Sequence, residues 1–222
     1  MTLPNPVRVR YAPSPTGDFH VGGARTALFN YLFARHHGGQ FILRIEDTDQ
    51  KRYNPQALDW LLNGLRYLGL DWDEGPEAGG DYGPYTQTER LEIYRAHCQQ
   101  LIDSGQAYPC FCSAERLEAV RQERQQQGLS GYDRHCRKIA PVEAAERVAR
   151  GEAHTVRLKI PLDGTITVQD EIRGDITFDN ARLQDAVIMK SDGIPTYHLA
   201  VVIDDHLMQI SHILRGDEWV NS

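Results

Sequence analysis

Residues 7–45 constrain the fold more than any other part of the chain. Residues 7–11 alternate charged and apolar side chains as a strand does. Pro13, Pro15 and Gly17 then break the run into a loop ending on His20-Val21-Gly22-Gly23. Ala24, Ala27, Leu28, Tyr31 and Leu32 follow at helical spacing, and Gly38-Gly39 stops that helix. Residues 41–45 form a second, mostly apolar strand. A strand, loop, helix and strand in succession belong in an α/β fold. The helix start, with Gly22 and Gly23 permitting close approach, offers backbone N–H groups to a chain of phosphates.

Downstream, Asn54-Pro55 supplies an N-cap and first-turn pair for a helix. Its Leu58, Leu61, Leu62, Leu65 and Leu68 form a core stripe that ends at Gly69. Residues 77–85 read as a loop or boundary. Thr86 with Glu89 predicts a capping box for a helix carrying Leu91, Tyr94, Cys98, Leu101 and Ile102 on one face. Residues 113–127 predict a polar surface helix, and 141–150 a short one between Pro141 and Gly151. Runs rich in β-branched residues at 155–160, 165–168, 175–178 and 186–189 predict strands, with turns at Asp163-Gly164 and Asp192-Gly193. Residues 199–203 and 209–214 read as strand-like or buried segments. The expected organisation is a first core segment at 1–85, an insertion at 86–196 and the start of a second core segment at 197–222.

Composition excludes more than it names. At 222 residues and 41% hydrophobic, the chain can bury a real core. It has no apolar run long enough to span a bilayer and no basic-then-apolar leader, so a soluble, cytoplasmic protein is expected. Four cysteines, two of them as Cys110-Phe111-Cys112, are too few and too unevenly spaced for a disulfide scaffold. The net charge of −7 argues against indiscriminate phosphate binding. Residues 108–160, however, carry ten Lys or Arg against seven Asp or Glu. A nucleic-acid contact would use this segment, though a solvated charged surface reads the same.

Pro13-Ser14-Pro15-Thr16-Gly17, His20-Val21-Gly22-Gly23 and Arg44-Ile45-Glu46-Asp47-Thr48-Asp49 form one set of motifs. Gly69-Leu70-Asp71-Trp72-Asp73-Glu74-Gly75-Pro76, Ser191-Asp192-Gly193-Ile194-Pro195-Thr196-Tyr197, Asp204-Asp205-His206-Leu207-Met208 and Arg215-Gly216-Asp217-Glu218-Trp219 continue it. In this order, over nearly the whole chain, they resemble the signature of class I aminoacyl-tRNA synthetases in its glutamyl/glutaminyl form, the glutamyl-tRNA synthetases most closely. The broader class I motif has a second histidine where this chain has Gly23.

The resemblance implies a doubly wound, parallel, Rossmann-like nucleotide-binding core split by an α+β insertion that grips the tRNA acceptor stem. It implies ATP with Mg²⁺, formation of glutamyl-adenylate and transfer to tRNA(Glu) by a monomer. His20, Gly22 and Glu218 would lie near ATP, with His20 donating to phosphate oxygens as charge builds there. Arg10, Ser14, Glu46, Tyr197 and Arg215 would line the amino-acid pocket. In that pocket Arg10 and Arg215 would clamp the side-chain carboxylate and Glu46 would pair with the ammonium group. Val201, where some relatives carry a polar residue, can contribute only shape. A glutamyl-queuosine tRNA(Asp) synthetase is the alternative within the group, and a binding fragment without turnover the alternative from another class. No run of the Lys-Met-Ser-Lys-Ser kind, the second ATP motif of class I enzymes, occurs before Ser222. Residues 1–222 alone are therefore expected to bind substrates weakly and to charge no tRNA.

Cys110, Cys112 and Cys136 can supply three of four tetrahedral zinc ligands within a knob at 108–138. Tyr132 matches the Tyr-x-x-x-Cys pattern of some glutamyl and glutamyl-queuosine enzymes and is one candidate for the fourth. His135 is the better intrinsic ligand, and water is a third possibility. Three buried, reduced, metal-free thiols are the other reading. Asp204-Asp205-His206 is assigned to packing and hydrogen bonding, because three consecutive ligand-type residues rarely converge on one ion.

Overall fold

The computed structural model describes residues 6–129, 131–216, 219 and 220. Strand β1 (Arg8–Tyr11) pairs in parallel with β2 (Gln40–Leu43), in a register that sets Arg8 beside Gln40 and Tyr11 beside Leu43. Parallel neighbours need a crossover, and α1 (Val21–His36) provides it. The parallel pattern continues as single bridges from Ile42 to Glu74 and from Ile45 to Thr86. On the other side of β1, the Ser211 amide donates to the Arg8 carbonyl at 2.8 Å.

α1 buries Ala27, Asn30 and Ala34, whereas Leu28 and Leu32, expected on the inner face, are exposed. Ala27 and Ala34 let this helix lie close on the strands, with Tyr31 and Phe33 packed against the same core and Tyr31 edge-on to Phe41 at 5.8 Å. At its end Gly39 abuts the Val7 carbonyl so closely that no Cβ fits. α2 (Pro55–Tyr67) follows the sequence expectation. The Asn54 side chain accepts from the Gln56 amide at 3.0 Å, and Leu61, Leu62 and Leu65 are buried. Each such leucine contributes ~1.5–3 kcal/mol of apolar burial. Leu68, at the end of the stripe, is exposed.

The capping box at Thr86 does not form. Residues Gln87–Arg90 make a 3₁₀ turn before α3 (Leu91–Asp103), and Thr86 makes no side-chain cap bond. Asp47, from the segment after β2, caps the turn instead. It accepts from the Thr88 amide at 2.9 Å and the Thr88 hydroxyl at 2.5 Å. The orphan N–H groups of a helix start need an acceptor, and here it is supplied from far away in sequence.

The chain packs as two units, one of residues up to Tyr94 together with those from Tyr197, the other Arg95–Thr196. This division into packed units breaks inside α3, between Tyr94 and Arg95. In the second unit β3 (Ala107–Cys110), β4 (Thr155–Leu158) and β7 (Val187–Met189) form an antiparallel sheet in the order β3-β4-β7. Between them in sequence lie α4 (Ala114–Gln126), with no buried residue, and α5 (Pro141–Ala149). A separate hairpin of β5 (Thr165–Asp170) and β6 (Gly174–Asp179) is turned by Asp170, which accepts from the Ile172 and Arg173 amides. Asp185 is fully buried and accepts from Tyr108, Arg137 and the Ile160 amide.

Residues 199–203, expected as strand-like or buried, lie within α6 (Tyr197–Leu207). A short apolar run fits a buried helix and a buried strand equally well, and here the helix wins. Residues 209–214 form no strand, although Ser211 bonds to β1. α6 carries Asp204 into the core of the first unit. With no exposure, it accepts from Arg90 at 2.7 Å, Gln87 at 2.9 Å and Tyr94 at 2.8 Å. Among the described residues no helix is long and apolar enough to cross a membrane.

Breaking one side of a buried charge network leaves the other uncompensated. Asp204→Asn is therefore expected to cost about 3–5 kcal/mol. Urea unfolding measures this, and an unchanged midpoint would remove Asp204 from the forces that hold the unit together.

Candidate active site and thiol cluster

β1 delivers Arg10 and then the Pro13–His20 loop, β2 leads into Arg44 and Glu46, and α6 contributes Tyr197 and Asp205. Arg44 has no exposure and sits among three carboxylates. Its Nη2 donates to Glu46 Oε1 at 2.9 Å, its Nη1 to Asp205 Oδ1 at 2.7 Å, and its Nε lies 3.7 Å from Asp204 Oδ2. Arg10, also buried, donates from Nε and Nη2 to the two oxygens of Asp205 at 3.1 Å each. The Nε–Nη2 edge of Arg10 is thus taken by Asp205, and the Nη1 group with the second hydrogen of Nη2 is left over. Burial lifts the Glu46 carboxyl above its usual range, against the opposing pull of Arg44. Arg215 donates to the Tyr197 hydroxyl at 2.7 Å and lies 5.1 Å from the Trp219 ring centroid. Burial, with the charge of Glu46, raises the Tyr197 hydroxyl.

His20 is the N-cap of α1. Its Nδ1 accepts from the Gly22 amide at 3.1 Å, so one of the N–H groups expected to face phosphates is already capped. The acceptor role of Nδ1 leaves the ring proton on Nε2, a donor on an exposed side chain. His20 and Ser14 line a cavity of about 200 Å³ with Tyr11, Phe19, Gly23 and Leu61. Glu218 lies outside the described residues. The site residues therefore fall into three groups within one unit: Arg10 with Glu46 through Arg44 and Asp205, Tyr197 with Arg215, and Ser14 with His20.

Tyr11 was not singled out by sequence. It is buried, burial pushes its hydroxyl up to about 12, and that oxygen would lie 2.7 Å from a Cβ added at Gly23. In this chain a side chain at Gly23, where the broader motif has its second histidine, would run into the Tyr11 hydroxyl. Arg44 was also missed, although an arginine inside an otherwise apolar strand signals buried partners.

In the second unit the three sulfurs of Cys110, Cys112 and Cys136 lie within 4.8 Å of one another. The Tyr132 hydroxyl is 3.3 Å from Cys110 Sγ and 3.5 Å from Cys112 Sγ. Zinc–sulfur bonds of about 2.3 Å give tetrahedral edges of about 3.8 Å, so this donor set fits one zinc ion. His135, the other candidate, is exposed. Arg157 donates to Cys110 Sγ at 3.3 Å and stacks 3.9 Å above Tyr132, while Arg116 donates to Cys112 Sγ at 3.3 Å. Burial works against the Cys110 thiolate, but bonds from Tyr132, the Cys112 amide and Arg157 bring its pKa below the ordinary thiol value. Burial and the neighbouring thiols push Cys112 up to about 11. All four cysteines are free thiols.

The family model of class I tRNA synthetases (E and Q), catalytic domain, matches residues 6–222. The chain belongs to this family. A glutamate–tRNA ligase of Dehalococcoides mccartyi is 56% identical over 221 residues, which are 99% of this chain and 44% of that protein. One from Ectopseudomonas mendocina is 54% identical over 217 residues, 97% of this chain and 44% of the relative. The crystal structure of a glutamate tRNA ligase from Elizabethkingia meningosepticum, in complex with its amino acid, superposes with a TM-score of 0.90 at 43% identity, covering 96% of this chain and 44% of that one. The chain thus spans less than half the length of these synthetases.

Within this synthetase fold, Gly23→Ala is expected to cost roughly 1–3 kcal/mol by overpacking against Tyr11. Removing the hydroxyl with Tyr11→Phe should recover most of that loss, so the pair should be strongly non-additive in urea unfolding. An equal loss in both backgrounds would show that the hydroxyl does not set the fit.

Proposed function

We propose that this chain is the amino-acid-activating part of a glutamate–tRNA ligase, an enzyme that joins glutamate to ATP as glutamyl-adenylate and passes it to tRNA(Glu). Family membership supports the reaction class. The observation that supports the choice of substrate is that Arg10 and Glu46, linked through Arg44 and Asp205, lie near enough to the Tyr197–Arg215 pair for their charges to act on the Tyr197 hydroxyl, so cationic and anionic groups are available for opposite ends of one acidic amino acid. Arg215 and Nη1 of Arg10 take the side-chain carboxylate. Glu46 and the Tyr197 hydroxyl take the ammonium, and Ser14 completes the pocket. The α-carboxylate then attacks the α-phosphorus of ATP and pyrophosphate leaves. His20 donates from Nε2 to phosphate oxygens as their charge grows, beside Gly22 and with Glu218 on the nucleotide. Mg²⁺ brought with ATP neutralises phosphate charge.

The core is then one half of a doubly wound, Rossmann-like nucleotide fold. The segment from 95 to 196 is the insertion that meets the acceptor stem, consistent with the local positive charge of 108–160. Cys110, Cys112, Cys136 and Tyr132 would hold a zinc ion that fixes the knob. The enzyme would act in the cytoplasm as a monomer.

Glutamate-dependent ATP–pyrophosphate exchange, assayed with the chain extended to the length of its relatives and with tRNA(Glu) present, tests the reading. Arg215→Ala should weaken glutamate far more than ATP, by about 3–5 kcal/mol. His20→Ala should lower turnover with little change in the KM for glutamate. Equal weakening of both ligands by the first variant would remove the carboxylate clamp, and full turnover by the second would make His20 a helix cap only.

Metal analysis of the purified protein should find close to one zinc per chain, with Cys112→Ser losing it while the first unit stays folded. Zinc-free protein with every thiol titratable would leave the cluster as plain reduced cysteines.

A further inference from the structure

Four side chains of alternating charge run without a break between the two ends of the amino-acid site. Glu46 bonds to Arg44 at 2.9 Å, Arg44 to Asp205 at 2.7 Å, and Asp205 to Arg10 through two bonds of 3.1 Å. The terminal members are the ones that face substrate in the reading above. The two in the middle face each other, and neither can shift easily. Arg44 has no exposure, and Asp205 sits on α6 next to Asp204, which Arg90, Gln87 and Tyr94 anchor in the core. Tyr197 lies two turns earlier on the same helix, so its place is tied to the same anchor.

We propose that Asp205, held by Arg44, is the positioning and specificity-determining residue of the amino-acid site. It fixes Arg10 at a set distance from Glu46 and so selects a five-carbon acidic amino acid over the four-carbon one. The inference rests on the function proposed above. An unheld arginine would lose rotamer freedom on each binding event and could swing to meet a shorter substrate. Locked from behind through Nε and Nη2, Arg10 presents Nη1 at one place only. A carboxylate one methylene short of that place leaves the remaining N–H groups of the buried guanidinium without an acceptor. Discrimination then exceeds what an apolar pocket achieves against one methylene.

The test uses the full-length enzyme with Asp205→Glu, which keeps the charge but moves the carboxylate by one methylene, and Asp205→Asn, which removes the charge. Exchange kinetics with glutamate and with aspartate, the KM for ATP, and thermal unfolding are measured on each. Asp205→Glu should raise the KM for glutamate about tenfold or more and lower the glutamate-to-aspartate ratio of kcat/KM by a similar factor. The KM for ATP should stay within about twofold. Asp205→Asn should weaken glutamate further. An unchanged ratio with a lowered melting temperature would make Asp205 an ordinary structural ion pair and overturn the proposal. Failure of both variants to fold would overturn it too, by assigning the residue to the fold. Absence of glutamate-dependent exchange in the unaltered enzyme would sink the underlying function, and this inference with it.

Discussion

The first unit depends on one buried guanidinium. Arg44 has no exposure, and a lone charge in that position would cost several kcal/mol of desolvation. Glu46, Asp204 and Asp205 compensate it, but each carboxylate then needs partners of its own. Asp205 recruits Arg10 from β1. Asp204 recruits Arg90, Gln87 and Tyr94 from the 3₁₀ turn and the start of α3. Satisfying one arginine therefore ties β1, the end of β2, α3 and α6 into a fixed arrangement, which hydrophobic contact between smooth surfaces would not do. Burial of the charges adds little net stability, but it excludes alternative registers, since a one-residue slip would leave several of them unpaired.

What could be read from sequence follows the range of the forces involved. α2 was legible because its signals are local: the Asn54 cap, Pro55 at the first turn and leucines at helical spacing all agree. The turn before α3 was misread because its acceptor, Asp47, lies some forty positions earlier, and no window around Thr86 contains it. α6 was ambiguous because Leu199 to Ile203 are all apolar or small, so periodicity vanishes. On α1 Ala27 is buried and Tyr31 packs against Phe41 as the stripe expects, but Leu28 and Leu32 are exposed while Asn30 and Ala34 are buried, so the face is turned part of the way round from the one the leucines suggest.

The candidate site divides in the same way. Arg10, Glu46, Tyr197 and Arg215 stood out because the chemistry of an acidic ligand asks for such groups and the motifs mark them. Arg44 and Asp205 touch other protein groups, so ligand chemistry did not point to them. The Tyr11–Gly23 pair shows a further limit, since a residue's role can be set by what it prevents. Gly23 reads as a motif departure until the Tyr11 hydroxyl is found in the space a side chain would occupy. The thiols of Cys110, Cys112 and Cys136 were legible as a group, and of the two side chains considered beside them Tyr132 is buried against the sulfurs while His135 is exposed.

Charge balance links this architecture to the proposed chemistry. Among the described residues of the proposed amino-acid site, four guanidinium groups, of Arg10, Arg44, Arg90 and Arg215, meet three carboxylates, of Glu46, Asp204 and Asp205, an excess of one positive charge. Arg90 and Arg44 are consumed by the core, which leaves the excess at Arg10 and Arg215, the groups proposed to meet the substrate. Glutamate at neutral pH carries one net negative charge and would close the balance. A neutral amino acid of the same length would leave a partly buried guanidinium unpaired, a larger penalty than any loss of shape. Under the proposed function, the electrostatic excess would set which kind of side chain the site accepts, and the lock through Asp205 how long it must be.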